Sequence, residues 1–206
     1  MAETKQYRFE VYVSNSIRDG LQNITGKFGS FNGGENFTGE DCQAGFLCVA
    51  KKRLPLEGYE KYLKNGNSWY MEKATKGLVE GLTGEHTGIY ACNNYDVAKA
   101  SIGNSVFNFA GQTLGLPLLK DERGDFTELK VGEQYNFGEG NFSTAPKDLV
   151  ATPYATVQDG LWVASATAPT DGSIYAEVLD ISKRFIEGTF DGGQKITLRI
   201  LRSAKA

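Results

Sequence analysis

The chain has 206 residues, and its 22 basic and 25 acidic side chains give a formal net charge of −3 at pH 7. Leu, Ile, Val and Phe make up about a quarter of it, above the roughly 20% below which disorder is expected. The 25 glycines have no Gly-x-y period, which excludes collagen and favours short strands joined by tight turns. The acidic balance argues against a nucleic-acid-binding surface, whose usual sign is a basic stripe.

Period-two alternation of apolar and polar side chains predicts a succession of β-strands. In the first, at residues 7–13, Phe9 and Val11 share one face. Asp159-Gly160, which lies between two apolar runs, predicts a hairpin with a type I′ turn. The remaining predicted strands lie at residues 44–51, 68–73, 87–93, 105–110, 126–131, 154–157, 161–165, 173–179 and 195–201.

Residues 20–39 are rich in glycine, and their aromatic residues Phe28, Phe31 and Phe37 are spaced too widely for a regular strand. We therefore predict a loop or extended arm that is anchored by these three rings and becomes ordered on docking. Helical spacing occurs only in short segments, at residues 57–64, 76–82 and 181–187. The expected fold is mainly β, with β-sandwich or small barrel modules, Gly-rich arms and few short helices.

Two stretches of the chain resemble each other. Each contains a strand with a tryptophan, Trp69 or Trp162, followed by a turn and an Ile-Tyr-Ala strand at residues 89–91 or 174–176. The likeness fits a duplicated hairpin, and it also fits a chance similarity between two hairpins. On this basis we predict an N-terminal β module at residues 1–108, which includes the arm, and a C-terminal β module at residues 109–206.

The residue types that usually carry chemistry are sparse and scattered. Cys42, Cys48 and Cys92 are odd in number and lack metal-binding spacing, and the lone His86 cannot complete a histidine pair. We interpret the cysteines as reduced, buried thiols that binding does not require. Motifs for a nucleophilic serine, a phosphate loop or a dinucleotide are absent from the sequence. We therefore predict no catalytic residue, no metal and no cofactor, and we do not expect an enzyme.

Targeting signals are also missing from the sequence. The amino-terminal residues are polar, and no apolar run reaches the roughly 18 residues that a membrane-spanning helix requires. We expect synthesis in a cytoplasm and no membrane partner.

Aromatic residues are dense between residues 59 and 95 and could stack on sugars or anchor an interface. Core packing is the alternative for at least half of them. The candidate interface residues are Phe28, Phe31, Phe37, Tyr59, Tyr62 and Tyr95.

Residues 152–179 contain a strand, Asp159-Gly160, a second strand with small residues, an Ala-Pro-Thr turn at residues 168–170 and a third strand. This order resembles the small β-rich modules of tailed-phage head proteins. The resemblance implies a non-enzymatic structural protein of a bacteriophage virion, made in the host cytoplasm, that decorates or stabilises the capsid. The implied partners are the major capsid protein and a second copy of the chain, with no direct contact to nucleic acid.

Two other functions remain open from the sequence. A carbohydrate-binding β-sandwich would use the tyrosines and tryptophans, and an enzyme of unrecognised type would use residues that no motif reveals. Glycan screening and mass spectrometry of purified particles separate these alternatives from a virion protein.

Overall fold

The computed structural model of the protein describes residues 9–11, 23–55, 68–80, 82, 86–93, 99–102, 105–108, 117–183 and 194–204. These residues are mainly β, as the sequence predicts. They contain one α-helix, α1 (Lys76–Glu80), and a short 3₁₀ turn (Glu139–Asn141). The strands are β1 (Phe9–Val11), β2 (Asn23–Asn32), β3 (Asn36–Gly39), β4 (Leu47–Arg53), β5 (Ser68–Lys73), β6 (Tyr90–Cys92), β7 (Lys99–Ile102), β8 (Ser105–Asn108), β9 (Gly124–Glu128), β10 (Gln134–Gly138), β11 (Phe142–Thr144), β12 (Tyr154–Gln158), β13 (Leu161–Ser165), β14 (Tyr175–Lys183) and β15 (Gln194–Arg202). Within this described part of the chain, no helix is both long and apolar enough to cross a membrane.

The first sheet closes into a five-stranded barrel. Its strand order is β3-β2-β5-β4-β6-β9, and β2 also pairs with β9, which closes the ring. Strands β2 and β5 are parallel, whereas the other pairs are antiparallel. Strand β3 lies outside the ring and pairs with β2 as a hairpin. The barrel interior holds one apolar cluster, which includes Ile24, Phe28, Met71 and Phe126.

The second sheet is open and has seven strands in the order β1-β10-β15-β14-β12-β13-β11. Its long strand β15 shows why the period-two pattern predicts a strand, since Ile196, Leu198 and Ile200 are all fully buried. A larger apolar cluster lies between this sheet and the barrel, and it joins Leu47 and Val49 of β4 to Trp162 of β13. Strands β7 and β8 form a separate two-stranded sheet.

The two large sheets share one strand arrangement. The barrel order β2-β5-β4-β6-β9 matches the order β11-β13-β12-β14-β15 in the second sheet. In each set, neighbouring positions in the sheet are taken by the first, third, second, fourth and fifth strand in chain order. The first pair is parallel in each set, and the other pairs are antiparallel. This agreement supports duplication of a five-stranded unit. The repeated unit is not the hairpin that the sequence suggests, because a third strand lies between each tryptophan strand and its Ile-Tyr-Ala strand.

The predicted arm at residues 20–39 is corrected by the structure wherever its residues are described. Residues 23–39 form β2, a turn and β3, so they belong to the barrel and its hairpin. The glycines that suggested an irregular segment serve close packing instead. A Cβ atom at Gly26 would lie 2.5 Å from Cγ of Met71, and one at Gly29 would overlap the carbonyl of Thr38.

The predicted helices have different outcomes. Helix α1 confirms a helix within residues 76–82. The helix predicted at residues 181–187 is wrong at its start, because β14 continues through Lys183 and pairs with β15. The helix predicted at residues 57–64 lies outside the described residues.

The boundary predicted after residue 108 does not separate the two sheets. Strand β9 lies C-terminal to it and completes the barrel, whereas β1 lies N-terminal to it and pairs with β10 of the second sheet. As a division between folding units, this boundary stays a prediction.

Candidate functional site

The hairpin formed by β2 and β3 carries the candidate site. Strand β2 leaves the barrel after Phe28 and turns back at Gly33 and Gly34, whose φ angles of 64° and 87° suit glycine. The buried Glu72 of β5 ties the hairpin to the barrel, because its Oε1 accepts a hydrogen bond of 2.9 Å from the Phe31 amide. The hairpin is therefore held at a defined position on the barrel.

Three aromatic rings pack together where the hairpin meets the barrel. Phe31 and Phe37 are cross-strand partners, and their ring centroids are 5.3 Å apart. The ring of Tyr70, on β5, lies 5.4 Å from Phe31 and 4.4 Å from Phe37. All three side chains are half-buried. We call this group the aromatic cluster, and it presents an apolar surface to solvent.

Cationic side chains flank the aromatic cluster. Tyr70 pairs in register with Lys27 on one side and with Lys52 on the other, so the three residues form a row across neighbouring strands. Arg53 follows Lys52, and its guanidinium carbon lies 5.5 Å from the centre of the Trp69 ring. Lys27, Tyr70 and Lys52 thus share one outer face of the barrel, whereas Trp69 packs against the interior cluster.

An open groove of about 490 Å³ runs over this face. Its lining combines the aromatic cluster and the cations with two acids, Glu35 and Asp121, at exposed positions. The lining residues are Lys27, Phe31, Glu35, Asn36, Phe37, Lys52, Arg53, Pro55, Tyr70 and Asp121. We refer to this feature as the barrel groove. It offers apolar contact together with hydrogen bonds to anionic or polar groups.

The predicted interface residues divide into three groups. Phe31 and Phe37 lie together in the barrel groove. Phe28 is only 4% exposed and packs edge-on against Phe46, with ring centroids 5.8 Å apart, so it belongs to the barrel core. Tyr59, Tyr62 and Tyr95 lie outside the described residues.

Sequence reasoning missed the cationic part of the groove. The cationic run at residues 51–53 ends strand β4 and extends past the predicted strand at residues 44–51. Recognising β2 as a strand would have revealed the site, because Lys27, Gly29 and Phe31 share one face at a period of two.

His86 and its neighbours form a second aromatic group. Its Nδ1 lies 2.5 Å from the Tyr90 hydroxyl, and the Trp69 ring contacts it edge-on with centroids 4.5 Å apart. The side chain is half-buried, and its Nε2 is buried without a partner among the described residues.

The three cysteines meet inside the barrel. They are free and buried, and the thiol of Cys42 interacts with those of Cys48 and Cys92. Burial raises the pKa of Cys42 well above its usual value and also raises that of Cys48. Across the described residues, no three His, Cys, Asp or Glu side chains are arranged to hold a metal ion.

The raised thiol pKa values predict a loss of stability at alkaline pH. In the unfolded chain, cysteine thiols lose their protons at about pH 8.5. In the folded chain, Cys42 and Cys48 stay protonated at that pH. Above that pH the unfolded state binds fewer protons, so the free energy of unfolding falls as the pH rises. Urea unfolding at pH 7 and pH 10 tests this, with a Cys42→Ala/Cys48→Ala variant as control. An equal alkaline loss in both proteins would contradict the explanation.

A smaller cleft of about 220 Å³ lies between α1 and the second sheet. At its exposed rim, Lys76 Nζ lies 3.0 Å from Asp171 Oδ2, and the two side chains form a salt bridge. A hydrogen bond from the Ser173 hydroxyl, and then the ion pair with Lys76, hold the pKa of Asp171 well below its usual range. Both side chains are largely exposed, so the bridge contributes little to stability.

Comparisons of the chain with protein-family models, with curated proteins and with solved structures found no match.

Proposed function

We propose that this chain is a non-catalytic structural protein of a bacteriophage virion that decorates or stabilises the capsid. The order of turns and strands at residues 152–179, which resembles tailed-phage head modules, supports the virion class. The aromatic cluster is the observation that carries the binding role. A half-exposed group of three rings, held in place by a buried carboxylate, suits an interface anchor.

The proposed partner is the major capsid protein, and a second copy of the chain is a further partner. The proposed location is the virion, after synthesis in the host cytoplasm. Mass spectrometry of purified particles and the position of the gene beside capsid genes would test this location directly.

Removal of the two hairpin rings is expected to weaken capsid binding without unfolding the barrel. We expect Phe31→Ser/Phe37→Ser to reduce co-sedimentation with capsids at least about tenfold, because hot-spot aromatics each contribute about 2 kcal/mol or more. The matched control is Leu149→Ser/Val150→Ser, which removes two exposed apolar side chains from another loop. Equal binding by the parent and the hairpin variant would exclude the aromatic cluster as the anchor. Absence of the parent protein from particles would refute the virion role.

A carbohydrate-binding module is the second candidate, and the barrel groove favours it. Aromatic rings beside charged and amide side chains are the usual components of a sugar site. A glycan array tests this function. Binding of a glycan that the Tyr70→Ala variant loses would support it, whereas an array without any bound glycan would argue against it.

A further inference from the structure

Within the described residues, the hairpin leaves one backbone edge open beside the aromatic cluster. Glu40 N donates a hydrogen bond of 3.0 Å to the Phe28 carbonyl. Hydrogen-bonded and non-hydrogen-bonded residue pairs alternate along an antiparallel ladder. Counting from the hydrogen-bonded pair of Phe28 and Glu40, Phe31 and Phe37 form a non-hydrogen-bonded pair. The amide of Phe31 accordingly points away from β3 and bonds Glu72. By the same alternation, the amide and carbonyl of Phe37 point away from β2.

Among the strands that the structure describes, β3 is the last of its sheet, so within this part of the chain the backbone of Phe37 faces an open edge. Unpaired edges of this kind accept a further strand, with hydrogen bonds supplied by the main chain. Here the open edge borders the barrel groove, because Asn36 and Phe37 contribute to both. An added segment would therefore pass directly from the edge to the aromatic and cationic side chains.

The charges around the barrel groove differ from those of the whole chain. The chain carries a net charge of −3, but Lys27, Lys52 and Arg53 outnumber the two acids of the groove. The groove thus concentrates cations on an acidic protein. This charge favours an anionic occupant, and the small number of cations limits the length of that occupant. With Glu35 and Asp121 counted, the three cations leave the groove one net positive charge.

We propose that the barrel groove binds an extended, acidic segment of a partner protein that adds to the open edge of β3. An apolar side chain of the segment covers Phe31 and Phe37, and its carboxylates reach Lys27, Lys52 and Arg53. Because a strand advances about 3.3 Å per residue, three residues span roughly 10 Å. This inference rests on the proposed function and names the chemistry of the partner.

The observations favour a polypeptide over a single-stranded nucleic acid. The open backbone edge supplies hydrogen bonds that suit a peptide main chain. The rings of Phe31 and Phe37 meet at an interplanar angle of 60°, and each ring covers part of its neighbour instead of offering a free face for base stacking.

Selection from a displayed library of random twelve-residue peptides tests the proposal on the full chain. We expect enriched peptides that alternate acidic and apolar residues. Their binding should weaken at least about tenfold with Lys52→Glu, which turns attraction into repulsion. The charge-matched control Lys147→Glu lies in the loop before β12 and should leave binding unchanged. In amide NMR spectra, the Phe37 signal should shift and exchange more slowly when a selected peptide is bound.

Four outcomes would overturn the proposal. They are a library without enriched peptides, enriched peptides without acidic residues, selected peptides that bind Lys52→Glu as tightly as the parent, and an oligo-dT strand that displaces them from the groove. The proposed function fails separately. If the protein is absent from particles but selects acidic peptides, the groove assignment stands and the virion role falls. If the Lys52→Glu variant binds capsids as the parent does, the virion role stands and the groove assignment falls.

Discussion

Phe28→Ala is expected to lower the free energy of unfolding by about 3–5 kcal/mol, because it empties a ring-sized volume in the barrel core. Phe28 is 4% exposed and belongs to a cluster with Ile24, Met71 and Phe126. The neighbouring strands are held in a closed ring, so they cannot collapse far into the cavity. Urea unfolding followed by tryptophan fluorescence gives the measurement.

Phe31→Ala is the matched control, since it removes the same ring from the same strand. Phe31 is half-buried at the barrel groove, so its loss of stability should be clearly smaller than that of Phe28→Ala. Its effect should appear in partner binding instead. Equal losses of stability for the two variants would show that the core and groove assignments within β2 are wrong.

Gly160→Ala is expected to destabilise the protein by about 2–5 kcal/mol, because left-handed backbone strain adds to overpacking. Gly160 has a φ of 75° and occupies the β12–β13 turn. Its carbonyl accepts a hydrogen bond of 2.8 Å from Leu47 N, and its amide donates one of 3.0 Å to the Ala74 carbonyl. An added Cβ would overlap the Phe46 ring. The turn therefore joins the second sheet to the barrel.

Gly33→Ala separates backbone strain from overpacking as causes of the lost stability. Gly33 also has a positive φ, of 64°, but a Cβ there would meet no atom within 4 Å. We expect a loss of about 1–2 kcal/mol from backbone strain alone. Thermal unfolding by calorimetry measures both variants. If Gly160→Ala costs no more than Gly33→Ala, the contact between the turn and Phe46 contributes nothing to the packing of the two sheets.

Local sequence signals predicted several elements correctly. Strand β5 coincides with the predicted strand at residues 68–73. The hairpin of β12 and β13 contains the expected turn, in which Asp159 and Gly160 both have positive φ, at 49° and 75°. These signals succeed because a type I′ turn requires particular residues at its two central positions, whatever the rest of the chain does.

The errors lie where distant partners override local preference. Residues 181–183 have helical spacing, yet they extend β14 because Ile181 pairs with Ile196. The sequence predicts a loop or arm where β2 lies, because the glycines of β2 weaken the strand pattern. Those glycines are needed where other segments approach closely, such as Met71 at Gly26 and Thr38 at Gly29. Neither approach can be inferred from the residues near β2 in the sequence.

The sequence by itself determined the mainly β class, the positions of most strands and the tight turns, since alternation and turn chemistry act over a few residues. Only the tertiary structure decided that β2 pairs in parallel with β5, about forty residues further along the chain. That pairing buries Phe28, brings Phe31 and Phe37 against Tyr70, and aligns Tyr70 with Lys27 and Lys52. The candidate site therefore arises from strand order and register, which depend on how the whole chain packs.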